Sequence, residues 1–196
     1  MSVTVITTLF LMGRWEPDAK GRMVAAALEL FANRGFEATT ASDIAARAGV
    51  TERTFFRHFA DKREVLFDGA ATLEHTAYDA ILAAPADASP LDAALAGMAA
   101  GGHLLEEIRD HAVRRSRIIA VNPSLQEREL LKLASMTEAT ARALRERKVT
   151  EPEATLAAHS AVTVFHVAFA RWISTGAPPA FANCVADAAT ALRALN

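Results

Sequence analysis

Residues 39–62 read TTASDIAARAGVTERTFFRHFADK, and their pattern predicts two short helices joined by a tight turn. Thr40 suits the N-cap of the first helix, and Asp43 three residues later completes a variant of the capping box. We expect this helix to end at Gly49, because glycine readily adopts the positive φ found at helix C-termini. Thr51 can then cap the second helix.

The second helix has an apolar side and a basic side. Phe55, Phe56 and Phe59 supply the apolar side, so we expect all three to pack against neighbouring helices. Arg53 and Arg57 are four residues apart and therefore share one face. Two helices, a glycine-containing turn and a basic second helix are typical of the helix-turn-helix, which inserts its second helix into the major groove of DNA.

Seven polar or basic side chains of this motif are candidates for DNA contact. Arginine can bind guanine or a phosphate, while threonine, histidine and lysine suit phosphates. The alternative for an arginine pair at this spacing is an ordinary solvated helix face. The predicted DNA contacts are Thr40, Thr51, Arg53, Thr54, Arg57, His58 and Lys62.

From about Pro17 to Phe67 the chain resembles the DNA-binding domain of the TetR family of transcriptional regulators. The resemblance rests on DIAARAGVT at residues 43–51 and TFFRHFADKREVL at residues 54–66, which follow the pattern of that family. It implies a homodimeric repressor that releases a palindromic operator when a small effector binds. The family often has tyrosine at the position of Phe56, so the resemblance implies that one hydroxyl contact with a phosphate is lost here.

Composition indicates an all-α chain with nearly balanced charge. Apolar residues make up 52% of the 196 residues, and Val, Ile and Thr lack the sustained alternation of strands. The formal net charge is −2, and residues 1–66 contain nine Lys/Arg against eight Asp/Glu. A bulk basic field is therefore excluded, and DNA affinity must come from a few well-placed cations.

About nine helices are predicted, in two domains. A helix-turn-helix domain covers residues 17–67, and a helical domain for effector binding and dimerisation covers residues 68–196. We expect the fourth helix to run without a break from Lys62 to about Ala83 and to act as a mechanical link between the domains. Further helices are predicted at residues 91–108, 110–121, 124–148, 154–174 and 180–195.

Residues 1–16 are expected to form a disordered N-terminal extension, and Met12 is a candidate for the true start because the family resemblance begins after it. The apolar run in this segment is too short to cross a bilayer, and no Lys or Arg precedes it as in a signal peptide. A single cysteine, Cys184, excludes an internal disulfide and gives no zinc-site spacing. We therefore predict a cytoplasmic protein without a membrane partner, a metal or another cofactor.

The second domain contains apolar side chains with a few polar partners, as a ligand cavity does, although ordinary helix core is the alternative for each of them. The densest positive cluster outside the helix-turn-helix comprises His111, Arg114, Arg115 and Arg117. This cluster is either an exposed helix face or an anion site, for example for the phosphates of an acyl-CoA. The segment RRSRIIAVNPSLQERELLKL at residues 114–133 resembles TetR-type regulators associated with mycofactocin or fatty-acid metabolism. The candidate effector residues are Met98, His103, Leu104, Arg114, Arg117, Met136, Thr140, Phe165, His166, Phe169 and Trp172.

The last two predicted helices carry many small residues, which let helices approach closely. We therefore predict a four-helix dimer interface with two helices from each chain, and its two-fold symmetry fits a palindromic operator. The residues concerned are Ala157, Ala158, Ala161, Ala168, Ala170, Ala182, Ala186 and Ala189.

No catalytic site is predicted. The chain has no Gly-rich phosphate loop, nucleophile elbow or HExxH motif. His159 and His166 are two helical turns, about 10 Å, apart and so cannot share one metal ion. The alternatives to a ligand-responsive regulator are an enzyme and an architectural DNA-binding protein without an effector.

Overall fold

The computed structural model describes residues 18–174, 176 and 179–195, and all regular secondary structure among them is helical. The predicted all-α fold is confirmed, with nine α-helices and one short 3-10 helix in those residues. The extension predicted at residues 1–16 lies outside them. The α-helices are α1 (Ala19–Arg34), α2 (Ala41–Arg47), α3 (Glu52–His58), α4 (Ala70–Ala83), α5 (Pro90–Glu106), α6 (Arg109–Ala120), α7 (Pro123–Glu146), α8 (Glu153–Ser174) and α9 (Phe181–Arg193), and the 3-10 helix is Glu64–Phe67.

Local capping residues fix the ends of α2 and α3. Thr40 and Asp43 form the capping box, with 3.1 Å between Asp43 N and Thr40 Oγ1 and 2.8 Å between Thr40 N and Asp43 Oδ2. Gly49 follows α2 with a φ of 70°, a conformation that costs glycine little. Thr51 caps α3 by accepting a hydrogen bond from Thr54 N at 3.1 Å. The predicted caps of the two-helix motif are confirmed.

The prediction of an unbroken fourth helix from Lys62 to Ala83 is wrong. The 3-10 helix ends at Phe67, Gly69 has a φ of 87°, and α4 begins only at Ala70. The apolar side chains of the 3-10 helix are buried in the core around α1, whereas α4 packs against α5 and α7. The chain must change direction between these two sites, and glycine permits the positive φ that the change requires.

The molecule has two apolar cores that meet at α6. The first core lies among α1, α2, α3 and the 3-10 helix, and the second among α4, α5, α7, α8 and α9. Ile118 and Ile119 of α6 and Leu125 of α7 belong to the first core, while Ala112 of α6 belongs to the second. A displacement of α6 would therefore disturb the packing of both cores.

Helix α8 is central to the second core. Ala154, Ala158, Ala161 and Ala168 are fully buried, and such small side chains allow α5, α7 and α9 to pack closely around it. Among the described helices, α8 alone is long and apolar enough by length and composition to cross a bilayer. Packing inside the second core accounts for part of this apolar character, since 44% of its apolar window is buried, whereas Leu156 and Val167 are exposed.

Candidate nucleic-acid interface and cavity

The outer face of α3 is the candidate nucleic-acid interface. Phe55 and Phe59, with 0% and 4% of their surface exposed, lie in the first core and thereby orient the helix. Thr54 at the first turn is half-buried. The exposed members of the predicted DNA-contact set are Thr40, Thr51, Arg53, Arg57 and His58.

Three other basic groups of this region are already paired, whereas the arginines of α3 are not. Arg47 forms a salt bridge with a glutamate of α1 at 2.7 Å, Arg63 with the aspartate two residues earlier at 2.7 Å, and Lys20 with an aspartate after the 3-10 helix at 2.5 Å. Arg53 and Arg57 form no salt bridge with any described residue. The exposed arginines of this region that form no salt bridge with a described residue are therefore Arg53 and Arg57 on α3 and Arg34 at the end of α1.

The threonines of the motif act first as helix caps. Thr40 Oγ1 donates to Asp43 Oδ2 at 2.6 Å, and the side-chain and backbone hydrogen bonds from Thr40 lower the pKa of Asp43. The hydroxyls of Thr51 and Thr54 lie 3.0 Å apart. Each exposed hydroxyl retains acceptor or donor capacity for one further partner.

Phe56 does not pack in the core, so that expectation is wrong. Half of its surface (50%) is exposed, and its ring meets Phe55 only edge-on, with 5.4 Å between centroids. Consecutive residues on an α-helix are separated by about 100°, and Phe56 lies outside the buried side that carries Phe55 and Phe59. It lies instead among the exposed side chains of α3.

Lys62 is bound within the protein. Its ammonium donates to Phe36 O at 2.8 Å and to Thr39 O at 3.0 Å, approaches Glu37 O at 3.4 Å, and lies 4.3 Å from the centroid of the Phe36 ring. These three carbonyls match the three N–H donors of a lysine. Lys62 thus fixes the loop that leads into α2, and its direct phosphate contact stays a prediction.

A cavity of about 470 Å³ lies next to the 3-10 helix that follows α3. Its walls come from the 3-10 helix, the first turn of α4, the end of α5, and from α6, α7 and α8. Most of the lining is apolar and includes Leu66, Phe67, Leu73, Ile108, Met136 and Phe169. The break between the 3-10 helix and α4 therefore forms part of the cavity wall.

The candidate effector residues fall into three groups. Leu104, Met136, Phe165, His166 and Phe169 line the cavity. Buried in the helix core instead are Met98, Thr140 and Trp172. Exposed and away from the lining are His103, Arg114 and Arg117. Ligand contact by any of these residues stays a prediction.

The positive cluster on α6 is divided by helical phase. Arg114 and Arg117 point to solvent, whereas His111 and Arg115 are half-buried and line the cavity. His111, Arg115 and the neighbouring Ala112 recur at intervals of one, three and four residues, which places them on one side of α6. This spacing could have indicated from the sequence that His111 and Arg115, which were not among the candidate effector residues, line the cavity.

Arg115 connects the cavity wall to the first core. Its Nε donates to Leu66 O at 2.6 Å, one terminal nitrogen binds Glu129 at 3.0 Å, and its guanidinium lies 4.8 Å from the centroid of the Phe67 ring. Burial lowers the pKa of Arg115, and Glu129 opposes this effect. The guanidinium is thus already committed to partners inside the protein.

His111 is the polar lining residue with an unmet hydrogen-bonding capacity. Its Nε2 is buried and has no hydrogen-bond partner within the described part of the chain. The pKa of His111 is lowered, and burial is the largest cause. The positive charges of Arg115 and Arg114 also lower it, whereas the negative charge of Asp68 raises it. The imidazole is therefore neutral near pH 7.

The outer surface of α8 and α9 differs from the predicted alanine interface. Ala157, Ala158, Ala161, Ala168 and Ala189 are buried within one subunit, so they cannot form the contact between subunits. The prediction failed here because small residues pack equally well against helices of the same chain. Exposed on this surface are Leu156, Val167, Ala170, Ala182 and Ala186.

No metal site emerges from the described residues, in which no three His, Cys, Asp or Glu side chains group closely enough to hold an ion. Cys184 is part of the second core, and burial raises the pKa of its thiol. This cysteine therefore has a packing role. The predicted lack of a metal or other cofactor stays a prediction.

The sequence is similar to known regulators. The family described as bacterial regulatory proteins, tetR family, matches residues 23–68. The HTH-type transcriptional regulator TcmR of Streptomyces glaucescens is 39% identical over 74 residues, which are 38% of this chain. The matched part spans 33% of the length of that relative.

Two solved structures have a similar fold. FadR of Thermus thermophilus, a TetR-family transcriptional repressor in complex with lauroyl-CoA, has a TM-score of 0.53 and 20% identity, with 88% of this chain and 92% of FadR covered. SmeT in complex with triclosan also has a TM-score of 0.53 and 20% identity, with 80% of each chain covered. At such identities the similarity shows the fold.

Proposed function

We propose that this chain is a ligand-responsive transcriptional repressor of the TetR family of bacterial regulatory proteins and that it binds a palindromic operator as a homodimer. The observation that carries the proposal is the outer face of α3, where Arg53 and Arg57 are exposed and form no salt bridge with the described residues. In a helix-turn-helix, this face of the second helix contacts DNA, which is a polyanion.

We propose that Arg53 and Arg57 enter the major groove. Arginine can donate two hydrogen bonds to guanine, which reads sequence, or bind a phosphate, which sets position. The near balance of charge in residues 1–66 means that few contacts carry the affinity. The proposed phosphate contacts are Thr40, Thr51, Thr54 and His58, with Lys62 holding the loop before α2 in place.

The dimer is proposed to form through the outer surface of α8 and α9. Leu156 and Val167 on α8 have 62% and 53% of their surface exposed, and a second copy of the chain would cover them. A two-fold axis between the copies would present two α3 helices to two half-sites of a palindrome. The proposed setting is the cytoplasm, where the operator DNA is located.

The effector is proposed to bind in the cavity of about 470 Å³. Its apolar lining supports a small lipophilic molecule, and the fold shared with FadR, solved in complex with lauroyl-CoA, keeps an acyl-CoA as a second candidate. Phe67 and Gly69 belong to the wall, so a ligand that displaces them would change how the α1–α3 region is held. The ligand would then shift the population away from the dimer whose α3 spacing fits the operator.

The experiment is a mobility-shift titration with DNA from upstream of the protein's own gene. Arg53→Ala is expected to weaken binding by about 1–3 kcal/mol and to relax base preference, because it removes a bidentate contact. Arg117→Ala is the matched control, since this arginine is also exposed but lies on α6. It should bind like the unaltered protein.

Two results would count against the proposal. If Arg53→Ala and Arg57→Ala both retain full operator affinity, α3 does not dock as proposed. If the DNA complex forms but no lipophilic compound or acyl-CoA changes it, the protein is an architectural DNA-binding protein and not a ligand-responsive repressor.

A further inference from the structure

The charged groups that line the cavity are already paired with one another or with neighbours. The Arg115 guanidinium binds Glu129 at 3.0 Å, and the Lys132 ammonium binds Glu64 at 3.1 Å. Glu74 accepts a hydrogen bond from the Ser135 hydroxyl at 2.7 Å. An anionic ligand would have to break one of these pairs to obtain a counter-charge.

The balance of charge in the lining also disfavours an anion. Three carboxylates, from Asp68, Glu74 and Glu129, face the cavity against the two cations Arg115 and Lys132. Asp68 is itself paired with a lysine of α1 at 2.5 Å. Placing another negative charge in an apolar, partly enclosed site without a free partner is costly.

His111 offers the opposite situation, a polar atom that lacks a partner. Its Nε2 is fully buried and makes no hydrogen bond to a described residue, and the residue itself lines the cavity. Leaving a buried polar atom unpaired costs free energy, and nearly all such atoms in folded proteins find a partner. His166, the other imidazole of the lining, is exposed to solvent.

We propose that the cavity binds a neutral, mainly apolar molecule that carries a hydroxyl or carbonyl group, and that the His111 side chain turns toward this molecule so that its Nε2 forms a hydrogen bond with that group. A hydroxyl can donate or accept and therefore fits either tautomer of the neutral imidazole, while a carbonyl fits the tautomer with a proton on Nε2. The apolar body of the ligand would contact side chains such as Leu105 and Phe169. The phosphates of an acyl-CoA would find no free cation in this lining.

The inference rests on the proposed function, because it names the effector class of the same cavity. Calorimetry on the full chain without DNA tests it. The probes share two carbon skeletons: naphthalene, 2-naphthol and 2-naphthoate, and 1-decanol and decanoate. We expect 2-naphthol to bind at least about tenfold more tightly than naphthalene, because only the former satisfies the buried nitrogen. Each alcohol should also bind more tightly than its carboxylate.

His111→Leu distinguishes the hydrogen bond from general apolar binding. The leucine keeps the site apolar and removes the unpaired nitrogen. Naphthalene should therefore still bind, and 2-naphthol should bind with about the same affinity as naphthalene. His75→Leu is the matched control, because His75 lies on α4 with 77% of its side chain exposed and does not line the cavity. It should retain the tenfold preference.

Three results would overturn the inference: tighter binding of a carboxylate than of its alcohol, equal binding of 2-naphthol and naphthalene, or no binding of any probe. A mobility shift on the upstream DNA is measured separately with the same protein. If no complex with that DNA forms, the proposed repressor is refuted. If the complex forms and any of the three results is obtained, only the ligand class is refuted.

Discussion

At the scale of single residues, two side chains of the helix-turn-helix have surroundings that differ from those expected from the sequence. Phe56 is half exposed on α3, and Lys62 is bound to three backbone carbonyls. Both differences arise because the direction of a side chain depends on the packing of its helix as well as on residue type. Each leads to a prediction.

Phe56→Tyr is expected to tighten operator binding. The substitution adds a hydroxyl to an exposed ring on the face that we assign to DNA, and a hydrogen bond to a phosphate would contribute about 0.5–1.5 kcal/mol. Fluorescence anisotropy with labelled operator DNA measures the change. Unchanged affinity would mean that this position on α3 lies away from the phosphates.

Lys62→Met is expected to lower the melting temperature while leaving the salt dependence of DNA binding unchanged. The substitution removes the ammonium that binds Phe36 O and Thr39 O. Three backbone carbonyls then lack a charged donor, which should lower the free energy of unfolding by about 1–3 kcal/mol. Thermal unfolding followed by circular dichroism and binding titrations at several salt concentrations measure the two effects. A salt slope reduced by about one would instead indicate a direct phosphate contact.

At the scale of elements, the 3-10 helix is tied to α7 by a cluster of charges. Glu64 binds Lys132 at 3.1 Å and also binds Arg128. Burial raises the pKa of Glu64, but hydrogen bonds from Arg128 and Lys132 outweigh it, so the net pKa is lowered. This cluster holds the segment that forms one wall of the cavity.

The stabilisation from this cluster is expected to disappear in acid. Because the folded-state pKa of Glu64 is lowered, its contribution is complete above the unfolded value of about 4.3 and is lost as pH falls through the folded value. Glu64→Gln should therefore reduce the free energy of unfolding at pH 7 by up to about 1 kcal/mol. The difference from the unaltered protein should shrink as the pH falls below about 4.3, the unfolded value.

Urea unfolding across this pH range provides the measurement. Glu37→Gln is the control, since Glu37 is an exposed residue of the loop after α1 and forms no side-chain ion pair with the described residues. It should change stability little at any pH. A Glu64→Gln effect that does not shrink as the pH falls below the unfolded value would show that the substitution acts through packing and not through charge.

At the scale of the whole molecule, the exposed surface of α8 and α9 sets the proposed assembly. Val167→Asp would bury a charge without a partner if two chains meet there, which costs several kcal/mol. We expect a monomer in analytical ultracentrifugation and a steep loss of operator affinity, because one α3 cannot bind two half-sites. Leu82→Asp on α4, where Leu82 is 39% exposed, should remain a dimer.

The candidate site was only partly predictable from the sequence. The exposed arginines of α3 follow from their spacing, and His111 and Arg115 could have been separated from Arg114 and Arg117 by helical phase. The rest of the cavity could not be predicted in this way, because its walls come from five helices and the 3-10 helix. Ordinary core residues and lining residues have the same composition, so only their positions distinguish them.

The sequence by itself determined the all-α class and the two-helix motif, because Thr40, Asp43, Gly49 and Thr51 act through hydrogen bonds and φ angles within a few residues. Only the tertiary structure decided the break before α4 and the committed partners of the basic side chains. Lys62 reaches a carbonyl 26 residues away, and Arg115 reaches one 49 residues away. Such contacts depend on how the helices pack, and local spacing in the chain does not encode them.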